Sequence, residues 1–291
     1  MTLVRTAAAL MAATFALGAL AAGNTTNEDF RDSKKMLERK VYFDHRVTLY
    51  CGYAFDKQKN VSLPAGFVAP QHKERAGRVE WEHVVPAENF GRAFKEWREG
   101  DGRCTNEKGH FYKGRRCAEK MSAEYRLMQA DMYNLFPAVG AVNAIRSNYN
   151  YELLPGVPNT FGTCEMKIDG RRAEPPERSR GEIARAMLYM EGAYAPVFRM
   201  SDRQRRLAQN WNEQHPVVQW ECTRAARIEK LQGNVNPVVK DACLKAGLTP
   251  LMAESGLARG RDPARSFKRE LSSRSAPFFA SVPLTGDGSG R

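Results

Sequence analysis

Six cysteines, at positions 51, 104, 117, 164, 222 and 243, restrict the possible folds of this chain more than any other feature. Their meaning depends on the amino end. Arg5 supplies a positive charge ahead of an apolar stretch over 7–20, and Ala19-Leu20-Ala21 offers an A-x-A cleavage pattern. Residues 1–22 therefore read as a signal peptide, with the mature chain beginning near Ala22. The stretch is shorter than the roughly 18 to 20 residues that span a bilayer, and no later segment approaches that length. The expected product is exported, to the periplasm or the medium. In an oxidising compartment an even cysteine count implies three disulfides, for which six cysteines allow 15 connectivities. Locality suggests Cys104 with Cys117 and Cys222 with Cys243, which leaves Cys51 for Cys164. No Cys-x-x-Cys pair and no histidine at zinc spacing accompanies them, which argues against a structural zinc site.

Lys and Arg outnumber Asp and Glu by 45 to 33, a formal net charge of +12. A polyanion is the natural partner of such a chain: nucleic acid, an anionic membrane surface or an acidic polysaccharide. A hydrophobic content of 42% with 14 Phe excludes wholesale disorder of the middle of the chain. The expected organisation is one core domain over 23–253 and a disordered basic and polar tail over 254–291, where Gly, Arg, Ser and Pro dominate. A polar lead-in over 24–38 turns helical around 33–37. The alternation over 46–51 reads as a strand, 56–74 as a loop, and 78–85 as a second strand ended by Pro86. Met121, Tyr125, Met128 and Met132 mark one apolar helix face, expected to be core. Pro137 could open a further helix. Ser179-Arg-Gly-Glu182 makes a capping-box pattern for a helix over 180–192, and helical patterns follow over 201–211 and 217–231.

The chemistry concentrates in Glu80-Trp81-Glu82-His83-Val84-Val85-Pro86. Five histidines are present and no two lie four apart, so a zincin-type helix site is absent. His83 is the one beside an acid in an otherwise apolar strand. Imidazole is the natural general base near neutral pH and a carboxylate a natural ligand for a hard cation, although a lone buried histidine is more often structural. Asn134 and Asn143 add amide oxygens suited to a divalent ion that keeps several waters, or else they cap helix ends. Arg103, Arg115, Arg116 and Arg146 supply planar forks that match phosphate oxygens. In a regular strand Glu82 and His83 point to opposite faces, so they can serve one site only if the strand ends or twists there.

Six blocks in register, over about 45–243, resemble the bacterial endonuclease I nucleases. They are Glu80-Trp-Glu-His-Val-Val-Pro-Ala87, Asp131-Met-Tyr-Asn-Leu-Phe-Pro137, Gly140-Ala-Val-Asn143 with Arg146-Ser-Asn148, Cys164-Glu-Met-Lys167, Pro175-Pro-Glu-Arg178 and Gln219-Trp-Glu-Cys222. The resemblance implies a mixed α+β fold, disulfide-stabilised, with a ββα-metal finger and a small antiparallel sheet surrounded by helices. It implies that His83 is the general base, that Glu82 and Asn143 hold one Mg²⁺, for which Mn²⁺ or Ca²⁺ could substitute, and that Asn134 and Arg146 support them. The family's transition-state arginine falls on Arg103 when aligned after Trp97, or on Arg115 or Arg116 when aligned on Cys117; Arg103 is the preferred assignment. The implied activity is cleavage of DNA, often also RNA, with little sequence preference, leaving 5′-phosphate ends. A monomer is the default expectation, since the sequence does not report oligomeric state.

Two other classes fit parts of this pattern. An exported non-catalytic polyanion-binding protein would use the same charge and disulfides and would tolerate substitution of His83. A glycosidase would use Glu80 and Glu82 as paired carboxylates without a metal, but these sit tightly together on one face of a strand.

Overall fold

A computed structural model describes residues 22–251, a mixed α+β fold in which helices surround two small sheets. The leader up to Ala21 and the tail over 254–291 lie outside the described residues. The first helix, α1 (Phe30–Met36), begins where the Asp29 carboxylate accepts the N–H groups of Arg31 and Asp32, and it widens into π-type turns through Val41. Strand β1 (Val79–His83) follows a long irregular segment, then four short helices: α2 (Ala87–Gly91), α3 (Lys95–Arg98), α4 (Arg115–Met121) and α5 (Ala123–Gln129). Strand β2 (Leu135–Val139) leads directly into α6 (Gly140–Arg146), and β3 (Asn150–Tyr151), β4 (Lys167–Asp169) and β5 (Arg172–Glu174) form the second sheet. Helices α7 (Glu177–Ala193), α8 (Asp202–Gln214), α9 (Gln219–Gln232) and α10 (Pro237–Lys245) complete the domain. No helix among the described residues is long and apolar enough to cross a membrane.

The strand expected over 78–85 is present, and its partner is the surprise. Strands β1 and β2 pair antiparallel with Trp81 opposite Pro137 and His83 opposite Leu135. Pro137 thus lies inside a strand rather than opening a helix. A two-stranded sheet leaves β2 an outer edge, where the missing proline N–H costs no ladder bond. The Pro137 carbonyl is used all the same, accepting the Leu49 N–H at 2.8 Å. The strand expected over 46–51 is absent apart from a single Val47–Ala54 bridge. Gly52, at φ +70°, returns its N–H to Thr48, so the chain reverses and turns Tyr50 into the core.

Three residues of the methionine stripe are core, as expected, with Tyr125, Met128 and Met132 fully buried, while Met121 is half-buried. It does not form one helix. Ser122 drops to an extended conformation and caps α5 through its hydroxyl, while Met132 sits in a separate 3₁₀ turn. The capping box at Ser179 is likewise not formed: α7 starts earlier, behind Pro176, and the Ser179 hydroxyl donates to the Pro176 carbonyl at 2.9 Å. The fixed φ of proline starts this helix without a side-chain cap. All six cysteines pair as locality suggested, Cys51–Cys164, Cys104–Cys117 and Cys222–Cys243, leaving no free thiol for zinc.

Buried arginines fasten the helices to the sheet. Arg224 of α9 donates to the Met132 and Leu135 carbonyls at 2.8 and 2.9 Å and lies 3.8 Å over the Phe136 ring. Arg185 of α7 forks onto both oxygens of Glu221 at 2.6 Å each and gives its remaining nitrogen to the His215 carbonyl. A Cβ at Gly181 would stand 2.7 Å from that carbonyl, so only glycine lets α7 approach this closely. The first described residues are built into the fold as well. Asn24 is buried, donates its N–H to Tyr194 and its amide to the Leu127 carbonyl, while the Asn234 amide holds the Ala22 carbonyl at 2.8 Å.

Candidate active site

The end of β1, the start of α4 and the middle of α6 enclose a cavity of about 440 Å³, lined among others by Glu82, His83, Arg115 and Asn143. The conflict between neighbouring strand positions resolves here because regular pairing stops at His83. Two side chains hold the exit. Asn134, fully buried, clasps Val85 on both sides, accepting its N–H at 2.7 Å and donating to its carbonyl at 2.9 Å. Arg146, 1% exposed, donates to the carbonyls of His83 and Val84 at 2.8 and 2.7 Å. Neither is among the residues lining this cavity. Their support is mechanical: they replace the strand partner the chain has lost and fix where residues 82 and 83 stand.

The His83 imidazole packs against Phe30, with ring centroids 4.9 Å apart, and its Nε2 lies 2.9 Å from the Gln129 carbonyl. A carbonyl can only accept, so Nε2 carries the hydrogen and Nδ1 keeps its lone pair. Burial, reinforced by the nearby Arg115 cation, pushes the ring pKa down to about 3. A ring held this way is neutral, and its second nitrogen has a lone pair with no partner in the protein.

Glu82 is 3% exposed, and its Oε1 accepts the Tyr50 hydroxyl at 2.7 Å and an Arg146 N–H at 2.6 Å. Burial raises its pKa, and Arg146 and then Tyr50 oppose that rise. Oε2 makes no hydrogen bond, yet it is not among the sealed polar atoms that lack partners, so it opens to the cavity. Asn143 is fixed from the other side. Its Nδ2 donates to Glu80 Oε2 at 3.0 Å, and Glu80 is gripped in turn by Arg75 and Arg78. A carboxylate cannot donate, so the amide nitrogen must face Glu80 and Oδ1 is left unpaired. Tyr50 and Glu80 thus join the site. The sequence reading missed Tyr50 because its segment looked like a strand, and it took Glu80 only as a possible glycosidase acid.

The structure separates the three candidate arginines. Arg103 forks onto Asp101 with its side chain 72% exposed, and it does not line the cavity. The Cys104–Cys117 staple and the Thr105–Phe111 bridge carry the inserted segment outward as a hairpin. The chain returns at Gly114, φ +80°, and puts Arg115 in the first turn of α4. Arg115 lines the cavity and has no carboxylate partner among the described residues; Arg116 stacks instead over Tyr112.

No group of three or more His, Cys, Asp or Glu able to hold a metal occurs among the described residues. A cation here would rely on Glu82 Oε2 and Asn143 Oδ1, with water or phosphate oxygens completing its shell. That donor set fits Mg²⁺, which gives up its waters reluctantly and binds through few protein oxygens.

Comparison with known proteins settles the relationship. Residues 13–243 match the family model described as Endonuclease I. An extracellular deoxyribonuclease of Aeromonas hydrophila is 40% identical over 223 residues, 74% of this chain and 91% of the relative. A periplasmic deoxyribonuclease of the same organism is 40% identical over 74% of this chain and 87% of its own length. Endonuclease-1 of Buchnera aphidicola subsp. Acyrthosiphon pisum (strain APS) is 35% identical over 76% of this chain and 84% of the relative.

The chain belongs to the endonuclease I family. An endonuclease I is a nuclease, a hydrolase of phosphodiester bonds, and that class accounts for features the competing readings leave idle. A polyanion-binding protein has no use for a desolvated neutral imidazole with one open nitrogen. A glycosidase would need two available carboxyl groups, whereas Glu80 is neutralised by two arginines.

Proposed function

We propose that this endonuclease I is an exported, divalent-metal-dependent endonuclease that cleaves DNA, and RNA as well, with little sequence preference. The observation that carries the reading is the convergence in one cavity of a neutral His83 with a free Nδ1, two unpaired oxygens on Glu82 and Asn143, and Arg115. The names of the relatives, extracellular and periplasmic deoxyribonucleases, support DNA as substrate and export as destination.

His83 Nδ1 accepts the proton of the attacking water, and the Gln129 carbonyl on Nε2 favours the cation that forms. A bound phosphodiester brings negative charge beside the ring and opposes the burial that holds its pKa low in the free enzyme. Arg115 neutralises charge on the phosphoryl oxygens. Glu82 and Asn143 would hold Mg²⁺, or Mn²⁺ or Ca²⁺ in its place, and the bound cation supplies charge stabilisation at the phosphate and the leaving 3′-oxygen. Scission of that bond leaves 5′-phosphate ends. Phosphate contacts from a chain of net charge +12 position nucleic acid without reading bases.

The test is incubation of the oxidised mature protein, as a monomer verified by light scattering, with plasmid DNA and Mg²⁺, alongside EDTA and His83→Ala. Loss of degradation in both controls is expected. Cleavage that persists without His83 would sink the reading, and binding without turnover under any metal would favour the polyanion-binding alternative.

A further inference from the structure

A second cavity, about 430 Å³, abuts the catalytic one and shares Pro86, Glu88 and Asn148 with it. Its construction is different. Tyr149, Phe198 and Met200 contribute apolar surface, Asn150 stands exposed at the mouth, and Arg171 and Arg199 mark the rim. Neither of these arginines has a carboxylate partner among the described residues, in a fold where many others do. The rim segment between α7 and α8 is also held in place: Glu191 accepts the Met200 N–H at 2.8 Å and is clamped by Arg205.

A track for phosphates alone needs cations on an open surface, not a recess with an aromatic and thioether wall. A recess of this size lies within the range of small-ligand pockets. An aromatic and thioether wall beside exposed cations that have no carboxylate partner matches a nucleotide, with its base against the wall and its phosphate at Arg171 and Arg199. We propose that this cavity is a nucleotide subsite, which draws one base out of the stack beside the phosphodiester held at His83. The proposal rests on the nuclease reading and adds to it. The enzyme then prefers substrates whose bases unstack easily, single strands and frayed or mismatched duplex, for a reason unrelated to base identity.

The test is calorimetric binding of thymidine 3′,5′-bisphosphate against its base-free analogue, deoxyribose 3′,5′-bisphosphate, with no cleavage step involved. In the wild-type protein the base should tighten binding by about 5- to 150-fold, the range of one base–aromatic stack. Asn150→Trp, which sets an indole in the mouth, should remove that advantage, with a thermal melt confirming the fold. Arg199→Ala, an exposed change, should weaken both probes alike, and His83→Ala should preserve the base advantage. A base advantage that is missing in the wild type, or that survives Asn150→Trp, overturns the subsite. Plasmid cleavage and its dependence on His83 would be untouched by that result, so failure here is distinguishable from failure of the nuclease reading.

Discussion

Two buried arginine–glutamate pairs in this molecule look alike and do different work. Arg185 and Glu221 form a closed fork, both carboxylate oxygens bound to the same guanidinium at 2.6 Å, and neither residue lines the cavity. Arg146 and Glu82 form a half-closed one. A single oxygen takes Arg146 and Tyr50 and the other is left open, while the two terminal nitrogens of Arg146 also hold backbone carbonyls and its Nε is buried without a partner. Two buried charges tolerate each other only when their hydrogen bonds are filled. A closed pair is complete within the fold, whereas a half-closed pair beside a cavity keeps one oxygen available to water or a ligand. Satisfaction of the second oxygen, rather than burial or charge, separates structure from site.

The sharpest way to break this contrast is to remove the same charge from each pair. Glu82→Gln should lower plasmid cleavage by about 10²- to 10³-fold in a protein that still binds DNA, the scale of losing a key electrostatic group. Glu221→Gln should instead destabilise the fold by about 3–5 kcal/mol, because Arg185 is left uncompensated, with turnover per folded molecule retained. Equal activity losses in the two variants would show that the open oxygen is not the distinguishing feature. Arg115→Ala should cost about 10²-fold in kcat if it meets the transition-state charge. Arg103→Ala, whose side chain points into solvent against Asp101, should stay within about twofold. The reverse ranking in a steady-state assay would restore the original assignment.

Glu80→Ala should raise the Mg²⁺ concentration for half-maximal activity by about tenfold with little change in the saturated rate, because Glu80 acts through the orientation of Asn143. Direct titration of Mn²⁺ by its paramagnetic resonance checks this without turnover. An unshifted titration would mean that Asn143 needs no such anchor. The smallest effect concerns Glu182, whose pKa burial and then Glu221 push up to about 7. A raised carboxyl contributes stability at low pH that is lost as pH climbs from the ordinary carboxylate value through about 7. Glu182→Gln should therefore raise the melting temperature by a few degrees at pH 8 and leave it nearly unchanged at pH 4. The opposite trend would place a compensating cation against this carboxylate.

Local patterns were legible where one element settled its own fate. The strand expected over 78–85 became β1, the helical pattern over 201–211 became α8, and the nearest cysteines paired. The family blocks placed Glu82, His83 and Asn143 around one cavity. What escaped depended on distant partners. Pro137 became a strand residue because β1 offered it an edge, and Tyr50 became a site residue because Gly52 reverses the chain beneath Glu82. Arg103 stands on a stapled hairpin away from the cavity lining, and no pattern in the segment itself reports where that hairpin points. Asn236-Pro237 opens α10 with an ordinary cap, a signal present in the sequence but passed over.

The clasp between the Asn234 amide and the Ala22 carbonyl joins the two ends of the described chain. In a chain synthesised amino end first, residues 22–24 exist long before Asn234 is added. The contact that fixes the segment ahead of α1, whose Phe30 lies against His83, therefore cannot form until nearly all of the described chain is present.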